Sequence, residues 1–421
     1  MFHTTTKITD SALNNTDFAT PKENFFRRRH LSAFAGNTTV MNTPYWYTRT
    51  FWTLALGLFL NAYVFGVSAV ALTWIPDSRP LAIWLLIWSP LWLSVGVVLG
   101  GWWPDSAGRR QVLRWGPFGY ALGALLLWYS DRVWAALTGS GFLMVTAGID
   151  SNVILTYSRE LLPPATRRAA MFFEINFVNL GGLALAAAAF WGGPSGIAGE
   201  RHLVAFIPAL LVGISLILRW GLPESILWKY ESVGPNRPGW QAVFSIRFLV
   251  AVCFAFANTT GFSLLSYAYG AEFLPRYFRM IFLVSTATAF MVGLWARLWA
   301  RIPPRLLLAG GYGLATAAAY ALYRVVSPTT WRFWLALFFL SAMTSITYLA
   351  EDTFKTGGWP SRMRARLTSA VRVTALLGDI GVLLATHRTR PEYFLRVMII
   401  VWAVGWMAAL LWWRQAQAPE P

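Results

Sequence analysis

The 421-residue sequence is poor in cysteine, histidine and acid. Its single cysteine, Cys253, lies inside an apolar run, which excludes a disulfide framework and a cysteine-based metal site. Four scattered histidines (His3, His30, His202, His387) argue against a histidine metal cluster, and no cofactor is expected. Charged residues make up only 13% of the chain, against about 25% in soluble proteins, so much of the surface does not face water. No nucleophile–base pair, metal-ligand spacing or phosphate loop stands out, and nothing points to an enzyme. Acids are outnumbered: 18 Asp and Glu face 35 Lys and Arg, for a net charge of +17.

What is present is apolar and aromatic. Hydrophobic residues account for 56% of the chain, with 24 tryptophans, read as interface anchors and packing. Apolar runs near the ~20 residues needed to cross a bilayer recur throughout. Twelve spans are expected, at approximately 51–75, 82–103, 114–130, 133–158, 169–192, 203–220, 246–270, 280–299, 304–325, 331–351, 367–386 and 393–413. The chain reads as an all-α polytopic membrane protein of two six-helix halves: residues 49–220 and 246–413, joined by a central linker at 221–245. Residues 1–48 are expected to be a disordered cytoplasmic tail, since they lack a basic-then-apolar signal pattern. Residues 414–421 form a second cytoplasmic tail.

Charge distribution separates a membrane reading from a nucleic-acid one. With both termini inside, twenty-four of the 35 Lys and Arg fall in cytoplasmic tails and loops, ten fall outside, and Arg372 sits within a span. That bias follows the positive-inside rule and accounts for the +17 without a nucleic-acid partner. The expected location is a bacterial cytoplasmic (inner) membrane, N-in and C-in.

After span 2 comes "GWWPDSAGRR", with Gly101, Asp105, Gly108, Arg109 and Arg110. One carboxylate and two guanidiniums on a tight turn suit helix capping and pairing across a gate. This spacing, between spans 2 and 3, resembles the loop signature of the major facilitator superfamily. "YSRELLPPATRR" at the end of span 4 (Tyr157, Glu160, Pro163, Arg167) and "LPESILW" after span 6 (with Glu224) resemble sugar-porter motifs. "RRAAMFFEINFVNLGG" is similar to span 5 of the synaptic-vesicle-type and organic-ion branch. A looser copy of the span-4 motif runs from Tyr348 and Glu351 to Arg364. A third, "YAYGAEFLPRYFR" (Tyr269, Glu272, Pro275, Arg279), closes span 7 and falls on the outside, as a helix end held by local charge pairing or as an outer-gate element. The sequence departs from the family at Ser106, usually basic, and at Arg297, where the second half's carboxylate would be. Asn61 replaces an acid frequent in proton-coupled relatives, and span 7 lacks the Gln-Gln element of sugar porters.

The resemblance implies the major facilitator fold, alternating access and a cytoplasmic gate made of Gly101, Asp105, Gly108, Arg109, Arg110, Glu160, Arg167, Glu224, Glu351 and Arg364. The alternative is ordinary loop charge. Ionisable residues inside spans are costly and mark a pathway or a paired site; these are Asp150, Glu174, Arg372 and Asp379. Arg372 is expected to bridge the halves to Glu174 or Asp150, or else to pair within one half. Asn61, Tyr63, Asn258 and Thr259 are expected at mid-depth, as a substrate cavity or as hydrogen-bond glue between helices. The leading function is a transporter or symporter of a small polar organic solute, with an organic ion or aromatic metabolite favoured over sugar. A transporter-fold accessory subunit of a larger membrane complex is the alternative. The expected partners are the small-molecule substrate and the lipid bilayer, with the chain a monomer or associated with such a complex.

Overall fold

In a bilayer every backbone polar group must be satisfied within the protein, so long apolar runs become helices. The computed structural model describes residues 48–71, 82–129, 133–163, 166–231, 243 and 245–415. Its twelve long helices, here α1–α12, are Arg49–Ala71, Ala82–Ala107, Arg109–Trp128, Val133–Leu161, Arg167–Gly192, Gly196–Trp220, Ile246–Ser263, Phe278–Gly293, Pro304–Arg324, Trp331–Thr356, Ser361–Thr386 and Pro391–Gln415. Eight described helices are long and apolar enough to cross a membrane, and α8 is a shorter apolar one. The expected N-terminal tail, much of the linker and most of the C-terminal tail lie outside the described residues. Within the linker, Ile226–Glu231 forms a short helix.

The pairing of helices repeats with an offset of six. In the first half α1 packs on α5, α2 on α4 and α3 on α6; in the second, α7 packs on α11, α8 on α10 and α9 on α12. The halves meet along two seams, α2 with α11 and α5 with α8. Small residues let helices approach without a hydrophobic driving force between them. Gly96 and Gly100 of α2 lie against the α4 backbone; a Cβ on Gly100 would come within 2.7 Å of Ile149 Cα.

Several helices run past the expected span ends. Helix α10 continues to Thr356 and α11 begins at Ser361, while α6 starts at Gly196 and α3 at Arg109. Hydropathy stops at the first charges, whereas the helices continue because neighbouring elements satisfy those charges. Helix α8 ends at Gly293, and a separate turn, Ala296–Trp299, follows it.

Candidate solute cavity and interlocked end of the bundle

Gly108 joins α2 to α3 at φ 97°, a left-handed conformation that favours glycine. A Cβ there would also lie 2.7 Å from Glu224 Oε2. That carboxylate accepts the backbone N–H groups of Arg109, Arg110 and Ser225 at 3.0–3.3 Å. Glu224 thus supplies an anion to the first amides of α3, where the helix dipole favours it.

The buried Arg109 guanidinium links Asp105 Oδ1 (2.6 Å), the Pro104 carbonyl (2.6 Å) and Glu160 Oε1 (3.2 Å). Glu160 also accepts from Ser225 Oγ at 2.5 Å and from Arg364 Nη1 of the other half at 3.2 Å. Asp105 Oδ2 accepts the Arg366 backbone N–H at 3.2 Å, with Arg366 Nε at 3.7 Å. Asp105 lies past the apolar run ending at Trp103. Burial pushes its carboxyl up to about 6, against the pull of the Arg109 and Arg366 guanidiniums. Arg167 donates to the Leu162 carbonyl at 3.0 Å. Glu351 lies inside α10 and pairs with Lys355 at 3.0 Å, one turn on; Lys355 also pairs with Asp352.

The seam between α2, α4 and α11 continues this lock. Ser369 Oγ donates to the Val97 carbonyl (2.6 Å), and Asn152 Nδ2 donates to the Ala365 carbonyl (3.1 Å). Gly101 lies directly against the Ser369 side chain. Arg372 Nη1 donates to Ser151 Oγ at 2.7 Å, so it crosses the halves to a neutral hydroxyl and not to Glu174 or Asp150. Asp150 is held instead by Arg219 of α6, in a bidentate pair at 2.6 and 2.5 Å. Glu174 accepts from Ser158 Oγ at 2.6 Å within its own half. At the opposite end of the bundle Arg279 Nη2 meets Glu200 Oε2 across the halves at 2.9 Å. Glu272 stays within the second half, accepting the Arg388 backbone N–H at 2.7 Å.

Between the halves lies a cavity of about 1070 Å³, its open mouth included. Asn61, Asn258 and Thr259 line it, as do Asn179, Ser266, Ser285, Ser341, Ser345, Tyr348, Lys355 and Arg372. Tyr63 and Asp379 are not among the lining residues. Tyr63 Oη donates to the Val204 carbonyl of α6 (3.0 Å), and Asp379 is buried behind the wall. Asn61 Nδ2 donates to the Ala147 carbonyl, and Asn258 is held by Tyr312 and Thr347. Three cavity hydroxyls, Ser266 Oγ, Ser285 Oγ and Ser341 Oγ, are buried with no hydrogen-bond partner.

Sequence reasoning did not single out Arg219, Ser369, Lys355, Asn179 or Glu200, the partner of Arg279. Arg219 carried a usable signal, a cation closing an apolar run opposite Asp150. Serines had none, because one neutral hydroxyl in an apolar helix looks like any other.

No family model matches the chain. In sequence it is 29% identical over 192 residues to the probable inositol transporter 2 of Arabidopsis thaliana, covering 42% of this chain and 31% of that protein. It is 28% identical over 177 residues to the D-xylose transporter of Levilactobacillus brevis, covering 41% and 38%. The chain therefore spans about a third of the length of the curated relatives it matches. In structure it resembles the partially occluded, inward-open xylose transporter XylE from E. coli (TM-score 0.69, 14% identity, 88% of this chain and 98% of that one). It also resembles the human organic anion transporter TETRAN (TM-score 0.64, 14% identity, 86% and 99%). The chain has the major facilitator fold and, over less than half of its length, is similar in sequence to inositol and xylose transporters.

Proposed function

We propose that the protein is a secondary transporter moving a small polyhydroxylated solute across the membrane by alternating access. The observation that carries this reading is the set of partnerless serine hydroxyls, Ser266, Ser285 and Ser341, buried in the wall of the cavity between the halves. A buried hydroxyl without a partner is costly, and a solute rich in hydroxyls can complete such groups while Asn61 and Asn179 orient it. The span-5 resemblance favours an organic ion; the sugar-type relatives and the hydroxyls and amides of the cavity wall favour a polyol instead. Of the two cations at the wall, Lys355 is paired with Glu351 and Asp352, whereas Arg372 donates to the neutral Ser151 hydroxyl.

Alternating access needs an end that locks and releases. The Glu160–Arg364 ion pair and the Arg366 backbone N–H donated to Asp105 hold the Gly108 end shut between the halves, and this end is read as cytoplasmic from the arginine-rich loops. The test is uptake into proteoliposomes of labelled xylose, a hexose, inositol and an aromatic acid. Uptake of a sugar or inositol is expected, with Ser285→Ala and Ser341→Ala each weakening apparent affinity by about tenfold, the order of one lost hydrogen bond. Uptake of the aromatic acid alone, or of none, overturns the reading.

A further inference from the structure

One buried acid has no part in the cavity or the lock. Asp379 lies on α11 with no exposed surface, where α11 packs on α7. The hydroxyls of Thr260 and Ser263, also buried on α7, approach its carboxylate. Yet neither Asp379 oxygen nor Thr260 Oγ1 makes a hydrogen bond of good geometry. Among the described residues no ion pair involves Asp379. Arg372, seven residues earlier on the same helix, is turned to Ser151; Lys355 is taken by Glu351 and Asp352, and Arg219 by Asp150. An ionised carboxylate at this depth is costly without a positive partner.

The backbone beside it is irregular. Immediately after Ser263, α7 widens into a π-helix over Leu264–Tyr269. At this junction the Leu264 N–H is shared between the Gly261 and Thr260 carbonyls. A π-helical stretch gives up the regular i→i−4 ladder and is frequent at functional sites. The irregular turn begins directly after the two hydroxyl-bearing residues. Loosened carbonyls of discontinuous helices are the ligands transporters use for small cations. One carboxylate among neutral oxygens balances one positive charge; a divalent ion would leave an uncompensated charge in apolar surroundings.

The same helix lines the solute cavity with Asn258, Thr259 and Ser266, so whatever occupies its Asp379 face bears on the position of its cavity face. We propose that Asp379, Thr260 and Ser263 form a monovalent-cation site, taking Na⁺ or a proton, on the α7–α11 contact behind the solute cavity. Its role as a coupling site rests on the transporter reading above; its ability to bind does not.

The experiment therefore reads binding without transport. Thermal unfolding of the purified full-length protein is followed in NaCl and in N-methylglucamine chloride of equal ionic strength, at mildly alkaline pH. Infrared difference spectra are recorded between mildly alkaline and mildly acidic pH. If the site takes Na⁺, the salt raises Tm by mass action; the shift vanishes in Asp379→Asn, and Thr260→Val weakens Na⁺ about tenfold. If it takes a proton, Na⁺ has no effect and a carboxylic C=O band titrates in the parent protein and is missing from Asp379→Asn. Should Asp379→Asn fail to fold, Thr260→Val and Ser263→Ala carry the comparison, through a weakened Na⁺ shift or a displaced band. Identical Na⁺ responses and identical spectra in parent and variants overturn the proposal. A protein that takes up no sugar yet shows the Asp379-dependent signal sinks the transport reading and leaves the site standing.

Discussion

At the scale of single residues, the Asp150–Arg219 pair has the largest stake. Both side chains are 1% exposed and joined bidentately, so each charge depends on the other. Removing one partner of a buried pair typically costs about 3–5 kcal/mol, while replacing both by neutral groups costs much less. Arg219→Ala is therefore expected to lower the melting temperature of the purified protein sharply, and Asp150→Asn with Arg219→Gln to recover most of the loss. A double variant no more stable than Arg219→Ala would show that packing, not charge, holds this place.

Asp105 supplies a pH dependence. With its carboxyl raised to about 6 above the ordinary ~3.9, the interlocked arrangement binds a proton more tightly than any state that exposes Asp105. Acidification through about 6 then favours the locked state, and rising pH through the same window adds the cost of ionising a buried acid. In a Cys253→Ser background, labelling of Ser369→Cys, a position buried in the α2–α11 seam, is expected to slow as pH falls once thiolate chemistry is normalised. Adding Asp105→Asn should flatten that response.

At the scale of elements, helix ends show why some of the fold was legible and some was not. The apolar runs marked each long helix, because length and hydropathy report how much backbone a bilayer demands. They ended α10 early and began α11 late: Asp352 and Lys355 read as loop charges yet are buried inside α10 and paired, and Arg364 and Arg366 read likewise yet open α11 on contacts with Glu160 and Asp105. The start of α3 follows a different logic: Gly108 turns the chain and Glu224, distant in sequence, accepts the first amides. Losing a cap of this kind costs about 0.5–2 kcal/mol. Glu224→Ala is expected to lower thermal stability accordingly, with Glu224→Gln in between because an amide oxygen still accepts. Equal losses in the two variants would assign the effect to the short helix Ile226–Glu231 rather than to the cap.

At the scale of the whole molecule, different residues join the halves at the two ends. Glu160–Arg364 and Asp105–Arg366 act at the Gly108 end, and Glu200–Arg279 at the other. Arg364→Glu is expected to raise labelling of Ser369→Cys by placing like charges together, and combining it with Glu160→Arg to restore part of the protection. Glu200→Ala should shift labelling in the opposite sense, since it loosens the far end. Unchanged labelling in all three would mean that the pairs contribute to folding without biasing any equilibrium between states.

The sequence alone determined that the chain is a bundle of twelve helices in two halves, where its loop signature sits, and that "YAYGAEFLPRYFR" stands apart from the span-4 and span-10 motifs. Those properties follow from hydropathy and spacing, which are one-dimensional. Only the tertiary structure decided that Arg372 meets Ser151, that Arg219 meets Asp150, that Arg279 reaches across to Glu200, and that Asp379 is left among hydroxyls beside a π-helical turn. Partner choice depends on how each helix is rotated and tilted against its neighbours. That is set by close packing at residues such as Gly101 and Gly100, whose consequences lie on other helices, far along the chain.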